Sequence, residues 1–440
     1  MAWAGLIGYE PVSEDRMDME RTYFSLSILK AFDDQKKKDA RNLKGNRMET
    51  KVKTRQWRIS SGVLGVIFLV MAACSGGGSG SSGANNGGGF NGVIISGGNT
   101  QFSTPMGIAV DGAGNIWIPN YGNNSVTELT KSSNYSNTGA VNISGGNTHF
   151  NQPTFIVVDG SENIWIPNHG NNSVTELTAS SHYSNTGAVN ISLGSLGSTN
   201  FSSPDGISVD GSGNIWVSNH HNNTVTELFK SSNYTTAQNF SNTTNGLNFN
   251  GPDGLCVDPS GNIWVPNDVG NTVTELNPTN STEVNITTPP GSPGLSAPDA
   301  CAVDQSGNIW TTNTSGNSVT EFIVSSGTVT GETTILGGNT GFNAPTEIAV
   351  DGAGNIWIAN YNNNSIGASV TELTKSSGYA VGSAVNILES PPPGGPQGIA
   401  IDAAGNVWIA NSLDNSLTEL PGVATGVTTL PALAGAPPGS

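Results

Sequence analysis

The chain has almost no positive charge beyond its first 73 residues. From Cys74 onward it contains three lysines (Lys131, Lys230 and Lys375), no arginine and 24 acidic residues, whereas residues 1–73 contain 13 basic and nine acidic residues. Nucleic-acid binding needs cationic side chains that displace counterions from phosphates. We therefore expect no nucleic-acid partner.

Long apolar runs and helical patterns are also missing. One apolar run, residues 63–73, has eleven residues, whereas a membrane-spanning helix needs about 20. After this run, no amphipathic 3.6-residue pattern lasts even eleven residues. Glycine is abundant, at 58 of 440 residues, and only 11% of residues are charged. This composition favours many short strands joined by tight turns.

The apolar run has the features of an export signal. Four basic residues between positions 51 and 58 precede it, and small residues lead into Cys74, so residues 48–73 are predicted to be a signal peptide rather than a transmembrane anchor. Met71-Ala72-Ala73-Cys74 resembles the bacterial lipobox. The resemblance implies that Cys74 is lipidated and holds the protein on a membrane surface. No Asp follows Cys74 directly, which favours the outer membrane by resemblance to Gram-negative sorting rules.

The segments around this signal have different expectations. Residues 1–47 are charged and aperiodic, and they are either a start site placed too far upstream, with Met48 as the conventional start, or a genuine cytoplasmic extension. Residues 74–90 contain the modified cysteine and a Gly/Ser-rich tether. Residues 431–440 are expected to form a disordered tail.

The remaining body, residues 91–430, repeats one pattern seven times. Each copy contains Pro, then Asp-x-x-Gly-Asn, Trp, Asn and a Val-Thr-Glu-Leu-like run, and its Trp residues are spaced 46 to 51 residues apart (Trp117, Trp165, Trp216, Trp264, Trp310, Trp357 and Trp408). A unit of this size buries its apolar surface only by stacking on copies of itself.

Each repeat is predicted to form four short strands, which we name a, b, c and d. In the first repeat they cover residues 107–110, 116–118, 125–129 and 140–144, which are rich in Val, Ile, Thr and Trp and bounded by turn residues. The Asp-x-x-Gly-Asn link is interpreted as a turn in which Asp accepts backbone N–H bonds and Gly adopts a positive φ. Glu162 replaces this Gly in the second repeat, which predicts a strained or adjusted turn. The tryptophans are expected to pack between neighbouring blades.

The pattern Pro-x-Gly-Ile-Ala-Val-Asp-x-x-Gly-Asn-Ile-Trp-Ile-x-Asn resembles the NHL repeat and the repeats of the virginiamycin B (streptogramin) lyase family. The resemblance covers residues 91–430 and implies an all-β fold, a β-propeller of four-stranded antiparallel blades around a central channel. Seven repeats imply seven blades, with six or eight as alternatives. Ring closure stays open, because either the strand near residues 92–96 or residues 426–430 could complete the last blade.

The predicted ligand-binding residues lie in the b–c loops, which share a frame and vary at their tips. Rigid scaffolds carry binding surfaces in this way, although drift of unconstrained tips would look the same. The seven Asn residues that follow each Trp by three positions either build these loops or form a ring of amides at the channel mouth. The candidates are Asn120, Tyr121, Asn168, His169, Asn219, His220, His221, Asn267, Asp268, Asn313, Asn360, Tyr361 and Asn411.

Three functions are compatible with these residues. A binding module for a protein, glycan or small-molecule ligand is favoured, with a monomer expected; the alternatives are a lyase acting on a cyclic ester and a structural cell-surface protein. The lyase resemblance implies a His base and a magnesium-ligating Glu, so His169, His220 and His221 are the catalytic candidates. All seven repeats have Asn where lyase-type repeats often have Glu. We therefore expect no metal or cofactor, with Mg²⁺ or Ca²⁺ required only by an enzyme.

Cys256 and Cys301 lie on strand a of adjacent blades, at repeat positions one residue apart. Alternation points them to opposite sides of their own strands. Because one side of each blade meets the other side of the next, this parity either brings the thiols together or separates them. A disulfide and two free thiols are both compatible with the sequence.

Overall fold

The structure, a computed structural model, describes residues 92–192, 201–241, 249–278, 282–286, 294–337, 341–361, 369–388 and 394–427. Within these ranges the chain forms seven four-stranded antiparallel sheets. Each sheet is one blade of a propeller, so the predicted seven-bladed fold is confirmed. The signal peptide, Cys74, the tether and the tail lie outside the described residues.

The first three blades follow the chain order of their strands. Blade 1 contains β2 (Ala109–Val110), β3 (Ile116–Asn120), β4 (Ser125–Leu129) and β5 (Val141–Ile143). Blade 2 contains β6 (Val157–Val158), β7 (Ile164–Asn168), β8 (Ser173–Leu177) and β9 (Val189–Ser192). Blade 3 contains β10 (Pro204–Val209), β11 (Ile215–Asn219), β12 (Thr224–Leu228) and β13 (Ala237–Ser241).

The next three blades have the same order. Blade 4 contains β14 (Cys256–Val257), β15 (Ile263–Asn267), β16 (Thr272–Asn277) and β17 (Thr282–Ile286). Blade 5 contains β18 (Pro298–Val303), β19 (Ile309–Asn313), β20 (Ser318–Ser325) and β21 (Thr328–Leu336). Blade 6 contains β22 (Pro345–Val350), β23 (Ile356–Asn360), β24 (Ser369–Leu373) and β25 (Val385–Leu388).

Blade 7 closes the ring with a strand from the N-terminal end of the body. Its strands a to c are β26 (Pro396–Ile401), β27 (Val407–Asn411) and β28 (Ser416–Leu420), and its fourth strand is β1 (Val93–Ile95). The register pairs Val93 with Glu419. Gly426 and Val427 do not form a strand; instead, Val427 N–H donates to Asp402 O at 3.3 Å, beside the a–b turn of blade 7. The N-terminal alternative for ring closure is therefore confirmed.

The a–b turn has the predicted chemistry. In blade 1, Asp111 Oδ1 accepts the Asn115 backbone N–H at 2.7 Å, and Gly114 has a φ of +85°. The Asp111 carboxylate also accepts the Trp117 indole N–H at 2.9 Å, a bond that the sequence analysis did not anticipate. The turn and the buried aromatic ring therefore depend on the same carboxylate.

Glu162 occupies the position in the second repeat at which the a–b turns of the other six repeats have Gly. Its φ is +65°, in the left-handed region that most side chains avoid. Its carboxylate accepts the backbone N–H of Gly112 in blade 1 at 2.8 Å. The predicted adjustment is thus a hydrogen bond to the neighbouring blade.

The repeat tryptophans pack between blades, as predicted. All seven are 0% exposed. Trp117 of blade 1, for example, belongs to the same apolar cluster as Ile164, Ile166 and Leu177 of blade 2. Such wedges bury large apolar areas at each interface.

Four tyrosines clamp these tryptophans at interfaces between blades. Each packs edge-on against the Trp of the preceding blade at ring-centroid distances of 4.5 to 4.7 Å (Tyr135 on Trp408, Tyr183 on Trp117, Tyr234 on Trp165 and Tyr379 on Trp310). The hydroxyl of Tyr183 donates to Glu162 O at 3.0 Å, and that of Tyr135 donates to Gly114 O at 3.0 Å. Blades 4, 5 and 7 contain no tyrosine.

The helices of the described residues are 3₁₀ turns of three residues (Lys131–Ser133, Ala179–Ser181, Lys230–Ser232, Lys375–Ser377 and Val381–Ser383). In the part of the chain that the structure describes, none is long or apolar enough to span a membrane.

Candidate functional site at the channel mouth

The b–c and d–a connections lie at the same end of the propeller. The first tip residue of each described b–c loop donates its backbone N–H to the residue just before the repeat proline; Tyr121 bonds Thr104 O and His169 bonds Gln152 O, both at 3.1 Å. We call this end the loop face, and the end with the a–b turns the turn face.

Asparagines join the loop face of one blade to that of the next. Asn124 Oδ1 in blade 1 accepts the Gln152 N–H of blade 2 at 2.8 Å, and Asn415 Oδ1 in blade 7 accepts the Thr104 N–H of blade 1 at 2.7 Å. Such bonds join six successive pairs of blades in the described residues, so the loop tips there are carried on a bonded frame.

The seven Asn residues at position three after Trp face into their own hairpins. Their relative exposure is 0% to 1%. The Asn120 amide donates to Ser125 Oγ at 3.2 Å and to Thr127 Oγ1 at 2.9 Å, while its Oδ1 accepts the Ser103 N–H at 3.3 Å. The structure thus gives these amides the loop-building contacts that were one of the two predictions. A ligand would reach them only by displacing these bonds.

Two histidine–aspartate pairs bring three neighbouring blades together at the mouth. His169, at the tip of the blade 2 loop, has its Nδ1 4.0 Å from Asp205 Oδ2 of blade 3. His220, at the tip of the blade 3 loop, has its Nε2 3.1 Å from Asp268 Oδ1 of blade 4. These four side chains are one-fifth to one-third exposed. The predicted tip residues His220 and Asp268 are therefore brought together, whereas His169 pairs with Asp205, which was not among the predicted residues.

Three other predicted tip residues reach the surface of the loop face to different extents. The His221 side chain is exposed, and Tyr121 and Tyr361 are partly exposed. Burial and the charge of Asp205 raise the pKa of Tyr121, which indicates that this phenol belongs to the same electrostatic environment.

Four carboxylic acids on strand a complete the mouth, and the sequence analysis did not include them. Asp205, Asp253 and Asp299 directly follow the repeat proline in blades 3, 4 and 5, and Glu347 follows by two positions in blade 6. The recurring Pro-Asp dipeptide was the available signal.

These acids are harder to ionise than usual, chiefly because they are buried inside the ring. Burial raises the pKa of Asp299 to about 7 and that of Glu347 to about 8. Burial, followed by the charges of Asp299, Asp205 and Asp268, raises the pKa of Asp253 well above its usual range. Burial also raises the pKa of Asp205, against the opposing effect of His169 and His220.

A small cavity lies among strands from both sides of the ring. It is lined by Met106 and Gly107 of blade 1, Phe155 of blade 2, Asp299 of blade 5, Thr346 and Glu347 of blade 6, and Gln397 of blade 7. Since blades 1 and 5 are not neighbours, this cavity is part of the central channel. Carboxyl groups and apolar side chains meet in it.

The residues at the mouth do not fit the magnesium site that the lyase resemblance implies. Among the described residues, no three His, Cys, Asp or Glu side chains are grouped as a metal-binding site requires. The expected Glu is replaced by Asn in every repeat, and these Asn side chains are turned into the hairpins.

Cys256 of blade 4 and Cys301 of blade 5 form a disulfide, with a Cα–Cα distance of 5.8 Å. Of the two parities left open by the sequence, the structure has the one that brings the sulfurs together.

The chain matches no model of a known protein family, and no curated protein matches it in sequence. Its fold is similar to that of solved structures. A catalytically inactive virginiamycin B lyase from Staphylococcus aureus with quinupristin is 16% identical, with a TM-score of 0.58, and the match covers 76% of this chain and 99% of the lyase. A streptogramin B lyase is 16% identical, with a TM-score of 0.55 and coverage of 75% and 96%.

A third similar structure is the extracellular domain of a putative hybrid two-component system from B. thetaiotaomicron. It is 14% identical, with a TM-score of 0.57, and the match covers 77% of this chain and 44% of that chain. Propellers host unrelated functions on one scaffold, and these identities establish the fold alone. The chain thus has the fold of the virginiamycin B lyase-like seven-bladed β-propellers.

Proposed function

We propose that this chain is an exported, lipid-anchored binding module that takes its ligand at the mouth of the loop face. The observation that carries this proposal is that two His–Asp pairs, His169–Asp205 and His220–Asp268, link three successive blades at the loop face. All four residues occupy positions that vary between repeats, on a frame whose bonds recur between the described blades. Variation on a fixed frame is the arrangement of a binding surface.

Charge indicates which ligands the mouth fits. The lysines beyond residue 73 all lie at the turn face, where the backbone N–H groups of Lys131, Lys230 and Lys375 bond the turn asparagines. Among the described residues, the carboxyl groups of the mouth therefore have no lysine or arginine partner. A ligand that presents amino groups complements this surface.

Calorimetric titration with hexalysine tests this proposal, with hexaglutamate as the control ligand. Asp268→Asn should weaken hexalysine binding about tenfold, because it removes a partly desolvated carboxylate. At pH 8.5, where a carboxyl group with a pKa of about 7 is ionised, Glu128→Gln removes one carboxylate from the turn face; it is the matched control for net charge and should have little effect. Equal weakening by Asp268→Asn and Glu128→Gln would show only nonspecific attraction to an acidic protein.

The second candidate is an enzyme that acts on a cyclic ester, and the His220–Asp268 pair favours it. An imidazole oriented by a carboxylate at 3.1 Å is a general-base arrangement. Incubation with quinupristin, the ligand of the similar lyase structure, separates the two candidates. Turnover that His220→Ala abolishes and His221→Ala preserves would establish the enzyme; no turnover together with hexalysine binding would support the module.

A further inference from the structure

The Cys256–Cys301 disulfide lies beside a direct backbone contact between blades 4 and 5. Two residues before Cys256, the Gly254 N–H donates to Asp299 O at 2.9 Å across the interface. A Cβ atom on Gly254 would lie 2.8 Å from the same oxygen. The two strands are therefore in direct contact at the mouth, and the covalent bond fixes that contact.

The same interface carries opposing carboxyl groups. Asp253 directly precedes the glycine of this contact, and Asp299 supplies its acceptor oxygen. The charged groups that face Asp253 are Asp299, Asp205 and Asp268, and the imidazoles of His169 and His220 face Asp205. Ionisation of both acids therefore pushes blades 4 and 5 apart.

This interface also lacks the aromatic clamp that joins other blades. Trp264 of blade 4 has no tyrosine from blade 5 against it, because neither blade contains one. Its apolar cluster instead includes Cys256, with Cys301 packed against it. Cys301 Sγ lies 3.5 Å from Trp264 O. The disulfide therefore lies at an interface that carries two opposing carboxyl groups and lacks the Tyr–Trp contact found between other blades.

We propose that the Cys256–Cys301 disulfide is a redox-sensitive latch that holds the acidic side of the channel mouth closed. Its effect on ligand binding rests on the proposed function, whereas its effect on the mouth itself does not. Without the bond, only the non-covalent contacts between blades 4 and 5 oppose the carboxylate repulsion. Residues 253–256 and 299–301 then open locally, while the rest of the ring stays closed.

The chemical step is a thiol–disulfide exchange with a dithiol reductant. One reductant thiolate attacks Cys301 Sγ. Cys301 is the more exposed of the two cysteines, because it is partly exposed whereas Cys256 is 8% exposed. The Cys256 sulfur leaves as a thiolate and takes up a proton. The second reductant sulfur then attacks the mixed disulfide and releases Cys301, which is also protonated. Two electrons pass to the protein, and the reductant becomes a cyclic disulfide.

Hydrogen exchange of the intact chain, with and without dithiothreitol, tests the latch and needs no ligand. At pH 8, reduction should lower protection at residues 253–256 and 299–301 about tenfold or more, which corresponds to about 1.4 kcal/mol of local stability. The equivalent segments of blades 1 and 2, residues 106–109 and 154–156, provide the matched control and should not change. At pH 5 the loss should be smaller because the carboxyl groups are protonated. A Cys256→Ser, Cys301→Ser variant should reproduce the reduced state without reductant.

Unchanged protection at the mouth would overturn the latch, and so would an equal loss in all seven blades, which would make the bond a general stabiliser. Hexalysine titration of the oxidised and reduced chains then tests regulation. If the mouth opens but the affinity is unchanged, the regulatory claim is wrong. If the mouth opens and the oxidised chain binds no hexalysine, the latch stands and the proposed function fails.

Discussion

Replacing Asp111 with alanine should destabilise the propeller strongly, because one carboxylate serves both a turn and a buried ring. Asp111 is 4% exposed and accepts three hydrogen bonds, from Asn115 N at 2.7 Å, Asn115 Nδ2 at 2.9 Å and Trp117 Nε1 at 2.9 Å. Trp117 is 0% exposed, so bulk water cannot replace the Asp111 carboxylate as the acceptor for its indole N–H. An orphaned buried donor costs about 1–3 kcal/mol, and hydrogen bonds to a charged acceptor contribute about 1.5–3 kcal/mol. We expect a total loss of about 3–5 kcal/mol.

A double-mutant cycle with Trp117→Phe isolates the shared part of this cost. Phenylalanine removes the indole N–H, so Asp111→Ala should cost about 1–3 kcal/mol less in the Trp117→Phe background than in the native chain. Urea unfolding followed by circular dichroism measures each corner, provided that the transition is single and the slope is unchanged. The same cost in both backgrounds, within about 0.5 kcal/mol, would refute the claim that the carboxylate acts through the tryptophan.

Two further changes test other repeated contacts. The melting temperature should fall as pH rises from about 4.5 to 7. Burial and neighbouring aspartates raise the pKa of five turn-face glutamates to about 7, so the folded state binds more protons than the unfolded chain in this window (Glu128, Glu176, Glu227, Glu275 and Glu372). A Glu227→Gln variant measured across the same pH range should show a shallower fall, and a rising or flat profile would contradict the assignment. Tyr183→Phe should cost about 1 kcal/mol in urea unfolding through loss of the 3.0 Å bond to Glu162 O, whereas Tyr183→Ala, which also removes the ring from Trp117, should cost about 3–5 kcal/mol.

The scaffold was predictable because its causes are local and repeated. Each Asp-x-x-Gly-Asn turn is specified by neighbouring residues, and the tryptophan between turns has one apolar role in every blade. The sequence left two candidates for the strand that closes the ring, residues 92–96 and residues 426–430, and the first of them matches strand d of the repeat. Choosing between them required the pairing of Val93 with Glu419, a contact between the two ends of the body.

The site was less predictable, because it depends on contacts between repeats. His220 and Asp268 are 48 residues apart in sequence, and each looks like ordinary variation when its repeat is considered alone. The same holds for Tyr183, which follows strand c of blade 2 and packs on Trp117 of blade 1. Two strand c glutamates, Glu227 and Glu275, also make contacts that the repeat pattern does not specify. Both are buried and bond the side-chain amide of a turn asparagine, and raised pKa values lessen the cost of burying them.

The departures from the repeat concentrate on one side of the ring. Asp205, Asp253 and Asp299 occupy the position after the proline in three consecutive blades, whereas blades 1 and 7 have Met106 and Gln397 there. The same three blades carry His220 and Asp268, and the disulfide joins two of them. Drift of unconstrained residues would scatter such changes around seven equivalent blades. A cluster of titratable side chains and a covalent bond at neighbouring interfaces instead supports the proposed binding site on one side of the ring, because a purely structural sevenfold repeat has no need of such a cluster.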